Sequence, residues 1–273
     1  MGRICPLSRL RQNGYSRDME LSLTITGAAG PLPPVLLAHG LFGQARNLGV
    51  IARALAETRQ VIAVDLRNHG DSPWDDRHDY EAMAGDLAGV IAAHGGRADV
   101  VGHSMGGKAA MWLALTRPAR VRRLVALDIA PVAYAHTQTG IIDAMEATDL
   151  TGITSRSAAD RALAAHLDDA GVRAFLLQSL DLKARPPQWK MNLAALRARM
   201  PQLTGWPEGG TPFTGPALFL HGGDSPYVTP KGEAAIRALF LQAEIACIPG
   251  TGHWLHAEKP AEVAGRAAAF LNG

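Results

Sequence analysis

The chain has 273 residues, of which 47% are hydrophobic and 19% charged, and its mean hydropathy is close to zero. This composition is typical of a globular protein with a sizeable core and excludes a disordered or fibrous chain. The 27 basic and 25 acidic residues nearly cancel, and no apolar run approaches the roughly 20 residues of a membrane span, so we expect neither a nucleic-acid partner nor a membrane span.

Residues 1–18 contain four arginines and no acidic residue before Asp18, but they lack the apolar stretch of a secretory signal. Met19 offers an alternative start of translation, so we expect residues 1–18 to be an extension outside the fold. The two cysteines, Cys5 and Cys247, stand far apart and have no metal-binding spacing around them. This usage favours a reducing compartment and predicts a cytoplasmic protein.

Short apolar or β-branched runs alternate with helical patterns along most of the chain. This order predicts an α/β fold, in which a mostly parallel sheet has helices on both faces. Apolar residues three and four positions apart predict helices around residues 48–55, 80–91 and 263–271. The predicted strands are Leu21–Thr26, Val35–Ala38, Val61–Val64, Val100–Val101, Leu124–Leu127, Ala217–Leu220 and Ile245–Ile248.

The alternation stops after Pro131, where helical patterns over residues 158–167 and 172–182 follow one another with no strand predicted between them. Because the strand pattern resumes later, we expect a helical cap inserted into the α/β fold and packed on the ligand-binding edge of the sheet. The predicted organisation is an extension, a core in two pieces and a cap, at residues 1–18, 19–130 with 216–273, and 131–215.

The segment GHSMG at 102–106 has the form G-x-S-x-G and stands between a predicted strand and a predicted helix. A serine at such a sharp turn is held in strained backbone geometry that only small neighbours permit. Gly102, Gly106 and Gly107 supply those neighbours. Ser104 is therefore the predicted nucleophile, and the helix that follows directs its positive end toward the turn.

A second glycine-containing loop, HGLFG at 39–43, follows the strand Val35–Ala38. Its glycines let the main chain approach a substrate carbonyl closely. We therefore expect the backbone N–H groups of Leu41 and Met105 to form an oxyanion hole, with Phe42 as the alternative to Leu41. Histidines that end buried strands are most often structural, so His39 is assigned no proton transfer.

The candidate base is His253, in the segment GTGHWLH at 250–256 that follows the last predicted strand. A glycine-flanked loop allows this imidazole to approach Ser104 and accept its proton near neutral pH. His256 stands three residues further on, near the start of a helix, and we expect it to pack or cap rather than to act as the base.

The acid of the triad has two candidates, Asp128 and Asp224, each of which directly follows a predicted strand. Both preserve the chain order serine, acid, histidine that is typical of α/β-hydrolases. Most α/β-hydrolases carry the acid after the later strand, three residues beyond a glycine, and counting from Gly222 places Ser225 at that point. Asp224 stands one residue before that point, and a shift of one residue turns a side chain to the other face. Asp128 is therefore preferred, and Asp224 is the alternative.

The motifs of this chain resemble the YbfF/ABHD11-type branch of the α/β-hydrolases over nearly its whole length from Met19. The resemblance implies esterase or acyl-thioesterase activity. It also implies that the acid comes from the LDIAP strand, which carries over to Asp128; this chain departs from the branch by having Asp224 where Asn is common. The motifs are HGLFG at 39–43, DLRNHGDS at 65–72, GHSMGGKAAM at 102–111, LDIAP at 127–131, WKMNL at 189–193, GGDSPYV at 222–228 and GTGHWLHAEKP at 250–260.

The predicted reaction is hydrolysis of a small-molecule acyl ester or thioester through an acyl-enzyme, a mechanism that needs no metal or organic cofactor. A carbon–carbon bond hydrolase or a cofactor-free haloperoxidase would use the same triad. A non-catalytic binding module on a hydrolase fold is the alternative from another class. Labelling of Ser104 by a fluorophosphonate would separate the enzyme from the binding module.

Phe42 and Trp189 are the candidate substrate contacts, although aromatic residues of the cap equally suit the cap's own core. The stretch 182–200, within the predicted cap, contains five basic residues and no acidic ones. Such a stretch could meet the phosphates of a coenzyme A thioester or form a solvated helix face. Acyl-chain length, ester or thioester preference and oligomeric state are not predicted.

Overall fold

A computed structural model describes residues 19–273 of the chain, so the predicted extension at residues 1–18 lies outside the described residues. Strands and helices alternate in the described range as the sequence pattern predicts. The strands there are β1 Leu23–Thr26, β2 Val35–Ala38, β3 Val61–Val64, β4 Ala98–His103, β5 Val121–Leu127, β6 Leu180–Asp181, β7 Gln188–Trp189, β8 Phe213–Gly222 and β9 Phe240–Ile248.

Several helices begin at a side-chain cap: Asp79 accepts a hydrogen bond from Ala82 N–H, and Thr229 accepts one from Gly232 N–H. The helices of the described range are α1 Gly49–Ala56, α2 Tyr80–Ala93, α3 Met105–Thr116, α4 Thr139–Ala147, α5 Arg156–Leu163, α6 Ala170–Leu176, α7 Leu193–Ala198, α8 Met200–Thr204, α9 Pro230–Leu239, α10 Leu255–Glu258 and α11 Pro260–Asn272. Short 3-10 turns occupy Ala45–Leu48, Pro118–Arg120 and Leu177–Ser179.

Seven strands form one twisted sheet in the order β1-β3-β2-β4-β5-β8-β9. The β1 strand pairs antiparallel with β3, and the other neighbours pair in parallel. The carboxyl ends of the parallel strands therefore meet at one edge of the sheet, where the loops after β2, β4, β5 and β9 lie. The predicted fold, a mostly parallel sheet of the α/β-hydrolase type, is confirmed.

The sheet separates two layers of core. Along β2, Leu36 and Ala38 pack into the layer that includes α2 and α3, whereas Val35 and Leu37 pack into the layer that includes α1 and α11. All four side chains are fully buried because helices cover both faces of the strand. This burial explains why the central strands are continuous apolar runs rather than alternating ones.

Between β5 and β8 the chain forms α4 to α8 and a two-stranded ribbon of β6 and β7. The ribbon corrects the prediction of a helix over 172–182 with no strand nearby: α6 ends at Leu176, and Leu180 pairs with Trp189. Apolar spacing alone does not separate a continued helix from a short buried strand. The strand β8 also begins at Phe213, inside the range predicted for the cap.

No helix within residues 19–273 has the length and apolar character needed to cross a bilayer.

Candidate active site

Ser104 stands between β4 and α3 in the strained conformation that the sequence predicts, with φ +52° and ψ −118°. A side chain at Gly102 would come within 2.4 Å of the carbonyl oxygen of Gly106, so the turn closes only around glycine. Because α3 begins at the next residue, its first backbone N–H groups have no intrahelical partner and lie next to the serine in the chain.

His253 and Asp128 complete a chain of hydrogen bonds that begins at Ser104. The Nε2 atom of His253 lies 3.0 Å from Ser104 Oγ, and its Nδ1 atom lies 2.7 Å from Asp128 Oδ2. Since a carboxylate only accepts, Nδ1 carries the proton and Nε2 is free to accept from the serine hydroxyl. The structure thus brings together three residues that are distant in the sequence.

The Asp128 carboxylate is fully buried at the end of β5. Its Oδ1 atom accepts a hydrogen bond of 2.9 Å from Gly222 N–H, and its Oδ2 atom accepts one of 2.5 Å from Ser225 Oγ. Asp224, the alternative acid, is exposed, and its backbone N–H donates to Thr251 O. The structure therefore brings Asp128 and not Asp224 to the histidine.

Aromatic rings fix the orientation of the His253 imidazole. Tyr227 stacks on it with ring centroids 3.9 Å apart and planes inclined by 17°. The backbone of His253 is held as well, because His103 Nε2 donates to its carbonyl oxygen at 2.9 Å. His256, which was expected to pack rather than to act as a base, is buried against the His103 ring.

The loop after β2 approaches Ser104 closely. A side chain at Gly40 would come within 3.3 Å of the Ser104 Cβ atom and 2.8 Å of His103 Nδ1. Leu41 and Met105 both line the cavity beside the serine. The Phe42 N–H donates to the buried ring of His69 at 3.1 Å, so it is not available as the alternative oxyanion donor.

Ser104 and His253 open into a cavity of about 240 Å³ between the sheet edge and the cap. Phe42 is part of its wall, as predicted for a substrate contact. Trp189 is not part of it, which corrects the second predicted contact: its indole N–H donates to Met145 O at 3.0 Å inside the cap. The apolar lining on the cap side is Ile141, Val172, Phe175, Leu176, Met200 and Leu203.

Sequence reasoning missed several polar residues of the cavity wall, among them Lys108 and Tyr227. Lys108 Nζ donates to the carbonyl oxygens of Thr204 and Gly205 and lies 4.7 Å from the centre of the Tyr134 ring. Burial lowers the pKa of Lys108 to about 7. Its place one helical turn after the nucleophile is a signal that the GHSMGGK motif already contained.

Two of the five basic residues in the stretch 182–200, Lys190 and Arg197, are engaged in ion pairs. Arg197 lies 2.7 Å from both Asp143 and Glu146, and Lys190 pairs with Asp71. These pairs favour the solvated-face interpretation over a phosphate-binding one.

Known proteins match this chain over most of its length. A profile of the alpha/beta hydrolase family matches residues 35–267. The chain is 39% identical over 270 residues to the sn-1-specific diacylglycerol lipase ABHD11 of Mus musculus, covering 96% of this chain and 88% of that one. It is 41% identical over 241 residues to the Esterase YbfF of Escherichia coli strain K12, covering 88% and 93%. The solved structure of a marine microorganism esterase has a TM-score of 0.87 and 34% identity, over 92% of this chain and 99% of that one.

Proposed function

The chain belongs to the alpha/beta hydrolase family, in the branch that includes YbfF and ABHD11, and on this premise we propose that it hydrolyses carboxylic esters through an acyl-enzyme intermediate. The observation that carries the proposal is the continuous set of hydrogen bonds from Ser104 through His253 to Asp128. Two relatives are named an esterase and a diacylglycerol lipase, and ester hydrolysis is common to both.

In the acylation step, His253 Nε2 takes the proton of Ser104 while Oγ attacks the ester carbonyl carbon. The carbonyl π-electrons move to oxygen and form a tetrahedral oxyanion. When the intermediate collapses, the bond to the alcohol oxygen breaks, and the imidazolium gives its proton to the leaving alkoxide. The acyl group is then bound to Ser104 as an ester.

In the deacylation step, water takes the place of the alcohol. His253 removes a proton from the water, and the hydroxide attacks the acyl carbon. Collapse of the second tetrahedral intermediate returns the proton to Ser104 Oγ and releases the carboxylic acid. The enzyme regains its starting protonation state.

The backbone N–H groups of Leu41 and Met105 stabilise the oxyanion in both steps. Such donors are fixed before the reaction and lie at a site partly shielded from water, so they stabilise negative charge more than bulk solvent does. Met105 is the first residue of α3, and the helix dipole adds to the same effect. Asp128 holds the Nδ1–H tautomer of His253 and stabilises the imidazolium without taking its proton.

The apolar cap side of the cavity is suited to an acyl chain, because an alkyl group transferred there loses contact with water. An acyl thioester would react by the same steps and fit the same wall. Because Lys190 and Arg197 of the basic stretch 182–200 are paired with carboxylates, the proposal assigns the stretch no coenzyme A phosphate.

A panel of p-nitrophenyl esters and acyl-coenzyme A thioesters of graded chain length tests this proposal, with Ser104→Ala as the paired variant. We expect wild-type turnover of esters and loss of that turnover in Ser104→Ala. Ester hydrolysis that survives the substitution at a near wild-type rate would contradict the proposal. Turnover of thioesters but not of oxygen esters would replace the proposed substrate class by the thioester one.

A further inference from the structure

The turn that carries Leu41 has an unusual backbone. Gly43 N–H donates to Gly40 O at 3.0 Å, which closes a four-residue turn with Leu41 and Phe42 at its centre. Phe42 has φ +64°, a value that favours glycine at this position of a type II turn. A bulky residue is strained in this conformation, so surrounding contacts must maintain it.

Two buried histidines hold this turn from the core side. His39 Nδ1 donates to Gly40 O at 2.8 Å and its Nε2 accepts from Leu66 N–H. His69 Nε2 accepts from Phe42 N–H at 3.1 Å, and its Nδ1 donates to Arg67 O. Each ring therefore has one defined neutral tautomer. Burial lowers the pKa of His39 to about 4 and that of His69 to about 3, so both rings stay neutral near pH 7.

A third contact comes from the cap. Ser179 Oγ donates to Phe42 O at 3.0 Å, and the Ser179 side chain is almost fully buried. Ser179 is itself fixed, because its carbonyl oxygen accepts from Lys190 N–H at 2.8 Å. The cap therefore binds the carbonyl oxygen of the residue whose N–H group His69 binds.

These contacts determine where the Leu41 N–H points. Gly40 C=O and Leu41 N–H belong to one planar peptide group, so the His39 contact on that oxygen also orients the N–H. The His69 contact fixes the next peptide group, and the Ser179 contact fixes the one after it. Three successive peptide groups are thus held by side chains of the core and the cap.

We propose that His39, His69 and Ser179, which we call the turn clamp, are positioning residues that aim the Leu41 N–H at the oxyanion of the transition state. The inference rests on the proposed function and extends it. It gives the DLRNHGDS segment a part in the reaction through His69, and it makes the cap part of the oxyanion hole through Ser179.

The mildest test is Ser179→Ala, which removes one hydroxyl and leaves both histidines in place. A displaced oxyanion donor weakens binding of the transition state and not of the substrate, so we expect kcat to fall by about 10-fold or more with little change in KM. The matched control is Thr148→Val, which removes another buried hydroxyl of the cap, bonded to Ala144 O and not part of the cavity wall. We expect the kcat of this control to stay within about twofold of wild type.

His69→Leu and His69→Gln give a second comparison. Leucine has no acceptor for Phe42 N–H, whereas the glutamine side-chain oxygen can accept it. We expect a loss of about 100-fold in kcat for leucine and partial recovery for glutamine. A trifluoromethyl ketone, which forms a tetrahedral adduct with the serine, should lose affinity in parallel with kcat across the set.

The inference is overturned if Ser179→Ala keeps wild-type kcat or if its effect appears only in KM. It is overturned as well if Thr148→Val lowers kcat as much as Ser179→Ala does. It is also overturned if ketone affinity does not follow kcat. In each of these cases fluorophosphonate labelling of Ser104 in the wild-type chain would leave the proposed function standing. A wild-type chain with neither labelling nor esterase turnover would overturn both.

Discussion

The side chains of Asp128 and Ser225 meet although they follow different strands: Ser225 Oγ donates a hydrogen bond of 2.5 Å to Asp128 Oδ2. Ser225 stands where counting from Gly222 would place the acid in most α/β-hydrolases. In this chain that position holds a serine hydroxyl group. The carboxylate that contacts His253 is that of Asp128, which follows the neighbouring strand β5. The loop after β5 therefore supplies the carboxylate, and the loop after β8 supplies a hydrogen-bond donor to it.

The first prediction separates the two carboxylates. Asp128→Asn should lower kcat about 10⁴-fold, because an amide in place of the carboxylate favours the wrong histidine tautomer and does not stabilise the imidazolium. Asp224→Asn should change kcat by less than about threefold, since this exposed side chain has no place in the hydrogen-bond chain. Steady-state kinetics on one p-nitrophenyl ester measure both. Equal losses in the two variants would contradict the assignment of the acid.

The second prediction concerns the ring of Tyr227 that stacks on His253. Aromatic stacking contributes about 0.5–1.5 kcal/mol, so Tyr227→Ala should lower kcat by about 2- to 10-fold as the imidazole becomes less constrained. Tyr227→Phe keeps the ring and loses only the hydroxyl, which lies 3.0 Å from His136 Nε2, so its effect should be smaller. If phenylalanine and alanine gave the same loss, the hydroxyl and not the stacking would be responsible.

The third prediction concerns acyl-chain length. Val172 belongs to the apolar cavity wall, so Val172→Phe should reduce the space for the acyl chain and shift the preferred p-nitrophenyl ester to a shorter chain. Trp189 lies inside the cap and outside the wall, so Trp189→Phe should leave the chain-length profile of the folded protein unchanged. A profile that moved with Trp189 and not with Val172 would contradict this position of the acyl chain.

The fourth prediction concerns acid stability. Burial lowers the pKa of His39 and His256 to about 4 and that of His69 to about 3, from 6.5. The unfolded chain binds protons below about pH 6.5 and the folded chain does not until lower pH, so the free energy of unfolding should fall as pH falls through that window. Each such histidine contributes about 1.4 kcal/mol per pH unit.

Urea unfolding of wild type and His256→Leu at several pH values between 5 and 7 measures this slope. The variant lacks one of the buried histidines, so its free energy of unfolding should change less steeply with pH. The difference in slope should correspond to the uptake of about one proton on unfolding. Identical slopes in the two proteins would show that His256 does not take up a proton on unfolding.

The local signatures of the site could be predicted from the sequence. The strain at Ser104 follows from the small residues around it, and the loops that carry Leu41 and His253 follow from strands that end in glycine-containing segments. These features depend on residues that are close together in the chain, so local sequence patterns predict them.

The contacts between distant loops could not be predicted. The stacking of Tyr227 on His253 and the hydrogen bond from Ser225 to Asp128 depend on how the ends of β5, β8 and β9 are arranged at one edge of the sheet. The position of Trp189 was misjudged for a related reason: an aromatic residue suits a cavity wall and a small core equally, and only tertiary packing decides between them.

The central claim is that Ser104 is the nucleophile that His253 activates, and mass spectrometry after fluorophosphonate treatment tests it most directly. The account predicts one adduct on the wild-type chain, located on the peptide that contains Ser104. It also predicts no adduct on Ser104→Ala and much slower labelling of His253→Ala. A folded wild-type protein that stays unlabelled, or an adduct on another residue that persists in Ser104→Ala, would contradict the account.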